Sequence, residues 1–142
     1  MGYGSSYMKD LVGKVITEIW ISPDSESIVF VDGNREPHGF YVDGDCCSYS
    51  WINDLLGVDA LLGQNVLKIE DMEDTEIDNG DEYDCLQQYG VKFTTERGYF
   101  DLIHRNSSNG YYGGSLCGSE NMVVTDDMIR VTKDWSSEGE PD

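Results

Sequence analysis

The chain has 142 residues, with 28 Asp and Glu against 9 Lys and Arg, a net charge of −19 and a pI near 4.1. That length fits one domain around one core, and the surface lacks the cations that would displace the counterions of DNA or RNA, which excludes direct nucleic-acid binding as an expectation. With 39% apolar residues, a mean hydropathy of −0.45 and no apolar run near the ~20 residues of a membrane span, the chain reads as a cytoplasmic protein with no membrane contact.

Residues 1–8 read as a flexible leader, 9–135 as a single globular domain and 136–142 as an acidic disordered tail. Val15–Ile21 is rich in β-branched and aromatic residues and predicts a strand. Its alternation puts Val15, Thr17, Ile19 and Ile21 on one face and Ile16, Glu18 and Trp20 on the other. Pro23-Asp24-Ser25 marks a turn, Ser27–Asp32 a second strand, Asp32-Gly33-Asn34 a hairpin and His38–Val42 a third strand.

Asp43-Gly44-Asp45-Cys46-Cys47-Ser48-Tyr49-Ser50-Trp51 follows, and with it the pattern changes. Trp51, Ile52, Leu55 and Leu56 stand at helical spacing behind the cap candidates Ser48 and Ser50. They predict one short helix, broken at Gly57 and ended at Gly63. Val66–Ile69 predicts a strand, and Glu70–Asp84, nine acids in fifteen residues, a solvated acidic loop. Tyr89–Thr95 and Tyr99–Arg105 predict a hairpin turned at Glu96-Arg97-Gly98, Asn109-Gly110 a further turn, and Met128–Thr132 a last strand. The expected class is α+β: mainly antiparallel sheet curled into a half-barrel, with one short helix packed on it.

Four cysteines (Cys46, Cys47, Cys85 and Cys117) without a secretion signal argue for reduced thiols. Zinc wants pairs such as Cys-x-x-Cys; Cys46-Cys47 lacks the spacer, and Cys85, Cys117, His38 and His104 stand alone in sequence. No metal and no cofactor are therefore expected. A nucleophilic thiol at Cys46 or Cys47 is opposed by Asp43 and Asp45, and no histidine adjoins it as a base. Asp74–Gly80 begins like a calcium loop, but its glycine falls one position late and Cys85 holds the closing position.

Two groups of candidates remain. One is the acid run itself, with Glu70, Asp71, Glu73, Asp74, Glu76, Asp78, Asp81, Glu82 and Asp84 as a protein interface for a basic partner. The other joins Asp43, Asp45, Cys46, Cys47 and Trp51 to Asp101, Arg105, Asn106, Ser107, Ser108, Asn109, Tyr111 and Tyr112. Such amides, hydroxyls and aromatics either wall a polar pocket or satisfy the backbone of tight turns.

Leu11-Val12-Gly13-Lys14, the Tyr41–Trp51 stretch and Arg105-Asn106-Ser107-Ser108-Asn109-Gly110-Tyr111-Tyr112-Gly113-Gly114 together resemble a family of small bacteriophage and prophage proteins, a domain of unknown function. The resemblance spans roughly residues 9 to 135 and brings no activity or catalytic residue with it. It implies a viral accessory protein acting inside an infected bacterium. Joined to the charge, it sets the expected function: a non-enzymatic protein that binds and inhibits a host protein, such as a defence or nucleic-acid-handling enzyme, with the acid run imitating DNA. The alternative is a protein that binds or sequesters a small nucleotide signal between the two motifs.

Overall fold

Short runs of Ile, Val, Phe and Tyr between polar turns bury their apolar surface most readily as paired strands. In the computed structural model, which describes residues 8–43, 48–73, 75–77, 85–108, 115–119 and 122–137, they form two antiparallel sheets. The first contains β1 (Val15–Ile21), β2 (Ser27–Asp32), β3 (Pro37–Asp43), β5 (Gln64–Asn65), β10 (Ser115–Ser119) and β11 (Ile129–Arg130). Its order is β10-β3-β2-β1, and β5 and β11 share the remaining edge of β1. The second contains β4 (Ser48–Leu56), β6 (Lys68–Asp71), β7 (Thr75–Ile77), β8 (Cys85–Thr95), β9 (Gly98–Ser108) and β12 (Trp135–Ser136). It runs β12-β4-β9-β8, with β6 and β7 end to end along β8.

The two sheets share one core. Ile19, Ile28, Phe30 and Phe40 of the first meet Ile52, Leu55, Phe93, Phe100 and Leu102 of the second. Phe30 is the pivot, with its ring centroid 5.5 Å from Phe93, 6.1 Å from Phe100 and 6.0 Å from Phe40. Neither sheet closes on itself, so the expected half-barrel is two open sheets packed face to face.

The expected α+β class is also corrected: the fold is essentially all-β. Ser48–Leu56 is a nine-residue strand, and the helix reduces to the single turn α1 (Val58–Leu61), beside a 3-10 turn at Lys9–Leu11. The cause is a β-bulge between Ile52 and Asp54. The extra residue, Asn53, lets Ile52 and Leu55, three apart, both face the core, which copies helical spacing. Asn53 is held by its neighbours: its Oδ1 accepts from Trp51 Nε1 at 3.0 Å, and its Nδ2 donates to Asp54 Oδ2 at 2.7 Å. A second bulge, between Ile16 and Glu18, turns Ile16 to the same side as Ile19 and so corrects the facing expected for β1.

β8 and β9 are longer than the sequence suggested and carry Asn106 and its serine neighbours within the ladder rather than in a turn. The acid run is not loop throughout, because Glu70 and Asp71 close β6 and β7 holds Thr75–Ile77. Strand ends also gather in one place. Asp43 pairs with Ser115, while Ser48 and Cys85 flank Ser108 on either side.

Candidate functional site

The two polar motifs are adjacent strands. Ser48, Tyr49, Ser50 and Trp51 pair residue by residue with Ser108, Ser107, Asn106 and Arg105. Strand alternation then divides them between two faces. Ser50 and Asn106 point inward and are buried, with Asn106 Nδ2 donating to Ser50 Oγ at 2.8 Å. Asn106 Oδ1 has no hydrogen-bond partner among the described residues. Beside them the His104 ring stacks on Tyr89 at 5.3 Å, both buried. The interior thus changes from Phe100 and Leu102 to His104 and Asn106 along a single strand face, growing polar toward the Ser108 end of β9.

Trp51 and Arg105 lie half-buried on the other face, and Arg105 Nε donates to Gln88 Oε1 at 2.9 Å. Trp51, Arg105, Gln88 and Thr75 occupy one register row across β4, β9, β8 and β7. That row links the polar motifs to the acidic edge. Asp101 stands apart, four residues along β9 from Arg105, or about 13 Å at the usual strand rise; its carboxylate lies 3.7 Å from Lys92 Nζ.

Of the expected interface acids, Glu70, Asp71 and Glu73 are placed on or beside β6, with Asp71 and Glu73 exposed. Lys68 Nζ lies 3.4 Å from Glu70 in an open ion pair, a kind that contributes little in water. Glu76 sits in β7 opposite Gln87. Asp74, Asp78, Asp81, Glu82 and Asp84 lie outside the described residues, as do Asp45, Cys46, Cys47, Asn109, Tyr111 and Tyr112. Asp43 is placed by its backbone, at the end of β3.

His38, alone in sequence, has a partner in the fold. Its Nε2 lies 2.9 Å from Asp32 Oδ2, and Asp32 Oδ1 accepts the backbone N–H groups of Asn34 (2.8 Å) and Glu36 (3.0 Å). Burial pushes the Asp32 carboxyl up, but the His38 hydrogen bond, the two N–H donors and the imidazole's charge outweigh it and hold the group below the usual 3.8. The sequence reading weighed His104 only as a lone zinc-ligand candidate and missed Asp32, Tyr89 and Gln88 as site residues. Counting by twos from Phe100 through Leu102 would have reached His104 and Asn106; nothing local pointed to Gln88.

Comparison with known proteins supplies a family and no activity. The family described as a domain of unknown function, DUF7448, matches residues 9–117. "Uncharacterized protein L278" of Acanthamoeba polyphaga mimivirus is 32% identical over 115 residues, covering 78% of this chain and 87% of that protein. This relative is viral, but it belongs to a giant virus rather than a bacteriophage. No solved structure matches.

Proposed function

We propose that this chain, which belongs to the DUF7448 family, is a non-enzymatic viral accessory protein that docks a basic surface of a host protein. One observation carries the reading: a single register row of the second sheet runs from Trp51 and Arg105 through Gln88 to Thr75 of β7, next to Glu76, on the sheet edge whose β6 part carries Asp71 and Glu70 three and four residues farther along β8. Tryptophan and arginine are the side chains that most often anchor protein interfaces, and an acidic rim steers a cationic partner and sets its orientation. A partner built to bind nucleic acid offers such a surface, and in that case the edge works as a DNA mimic. The bacteriophage setting implied by the motifs belongs to this proposal, with a defence or nucleic-acid-handling enzyme of the infected cell as the target.

Replacing Glu70, Asp71, Glu73, Asp74 and Glu76 by their amides is expected to abolish capture of the host protein at low salt. Wild-type capture should weaken steeply as salt rises, because exposed charges are screened within about 8–10 Å at physiological ionic strength. Duplex DNA should displace the partner if the edge mimics DNA. Equal capture by the amide variant, at low and high salt alike, would remove the acidic edge from the function.

A second reading rests on the buried Ser50–Asn106 pair, where Asn106 Oδ1 has no hydrogen-bond partner among the described residues and the interior turns polar. It makes the polar end of the two sheets a nucleotide site, which Arg105 flanks from the other face of β9. A nucleotide present at 100 times its Kd would then stabilise the fold by about 2.7 kcal/mol, seen as a raised melting temperature. Arg105→Ala should lose that rise. A nucleotide panel that leaves the wild-type melt unmoved counts against this reading.

A further inference from the structure

The β2–β3 hairpin holds a donor set that the proposed docking face does not use. Asp32 ends β2 with its side chain only 2% exposed. Asp32 N donates to Glu36 O at 3.0 Å and Arg35 N to Asp32 O at 2.9 Å, so the turn is closed by its own backbone. The register sets Phe30 opposite His38, which directs the imidazole back toward Asp32. One oxygen from each of Asp32 and Glu36 and one nitrogen of His38 all lie within 4.8 Å of one another.

A hydrogen-bonded turn explains Asp32 and His38. Glu36 is exposed, and its carboxylate sets a second negative charge within 4.8 Å of the Asp32 oxygen, where the two repel. A cation between them would resolve that repulsion. The 2.9 Å hydrogen bond from His38 Nε2 to Asp32 Oδ2 is close to the ligand–ligand edge of about 3.0 Å in an octahedral ion with bonds of about 2.1 Å, and would open toward about 3.4 Å around a tetrahedral one. Two carboxylates neutralise a divalent ion, and an imidazole nitrogen favours the zinc–cobalt–nickel class over magnesium or calcium. The N–H groups of Asn34 and Glu36 fix the Asp32 carboxylate from behind, the outer-shell support that metal ligands need.

We propose that Asp32, Glu36 and His38 bind one divalent cation of the zinc class, with water completing its coordination. The ion takes the place of any proton on His38 Nε2, the ring keeps its Nδ1 proton, and the released proton passes to solvent. Bound there, the ion clamps the turn between β2 and β3.

Cobalt chloride titrated into the full chain tests this. The expected result is one equivalent bound at micromolar concentration, with ligand-field absorption, no thiolate charge-transfer band, and His38 ring resonances shifted by the paramagnetic ion. Glu36→Gln should weaken binding about tenfold or more, and His38→Ala should abolish it. Metal-free melts of both variants report whether the fold is kept. Should His38→Ala unfold the hairpin, the exposed Glu36→Gln decides alone. Unchanged affinity in Glu36→Gln overturns the proposal. So do a charge-transfer band from the cysteines, equal competition by magnesium or calcium, or no binding below millimolar cobalt.

Discussion

Phe30→Ala is expected to cost about 3–5 kcal/mol of folding stability and to lower the melting temperature by roughly 10–15 °C. The ring is fully buried in β2 and is the place where the two sheets touch through aromatic edges, facing Phe93 and Phe100 across the core and Phe40 beside it. Truncation removes the transfer energy of the ring and leaves a cavity that strands on both sides are too constrained to fill. Each edge-to-face pair lost adds about 0.5–1.5 kcal/mol in favourable cases. Domains of this kind hold about 5–15 kcal/mol in total, so the variant should retain structure at 25 °C with little margin. Val123→Ala, at a position 53% exposed, serves as the comparison and should stay within about 0.5 kcal/mol of wild type. Urea melts of the two variants measure both numbers. A Phe30→Ala cost under about 1 kcal/mol would mean that the sheets do not share this core.

The strands of the first half and the β8–β9 hairpin were legible because their apolar residues alternate and their turns carry Gly, Asn or Pro. What misled was the same device twice. At Ile16–Ile19 and at Ile52–Leu55 a bulge adds one residue to the strand, so core positions fall three apart instead of two or four. From the sequence alone that interval looks helical, and at Ile52 the serines Ser48 and Ser50 completed the illusion by resembling caps. Tertiary pairing with β9 decided the matter, since Ser48–Leu56 gains a full antiparallel ladder that a two-turn helix could not match. The very short strands β5, β11 and β12 exist only as partners of longer ones and carry little signal of their own.

The candidate site was legible in its residues and not in its arrangement. Asp43–Trp51 and Arg105–Gly114 were singled out by composition, but their meeting required knowing that β4 pairs with β9 across some fifty residues of chain. The pairing also sorts each motif into an inner part, Ser50 and Asn106, and an outer part, Trp51 and Arg105, a division that no composition argument supplies. The lone His38 shows the same limit. Its partner Asp32 lies six residues back, and only the turn at Asn34 and Arg35 brings the two together.

Gly57→Ala is the substitution on which an unbroken helix through Gly57 and the strand ending at Leu56 differ in sign. In a helix running from Trp51 toward Gly63, alanine in place of glycine would stabilise by about 1 kcal/mol through propensity alone. In this fold it should destabilise by about 3 kcal/mol or more. Gly57 sits at φ 83°, ψ 30°, where an L side chain costs about 1–2 kcal/mol. A methyl group there would also press into the carbonyl oxygen of Tyr99 and come within 3.2 Å of its carbon and 3.3 Å of Phe100 Cα. That backbone belongs to the start of β9, locked to β8 by the Thr95–Gly98 and Thr94–Tyr99 pairs, so it has nowhere to retreat. The N–H groups of Gly57 and Val58 meanwhile converge on Asp134 Oδ1 at 2.9 and 3.0 Å, pinning the turn from its other side. Gly63→Ala separates the two contributions. Gly63 has φ 78° but nothing within 4 Å of an added methyl, so its alanine variant should pay the torsional cost alone, about 1–2 kcal/mol. Denaturation of the pair therefore isolates the steric term at Gly57. A stabilised Gly57→Ala would restore the helix and undo the strand pairing that joins the two motifs.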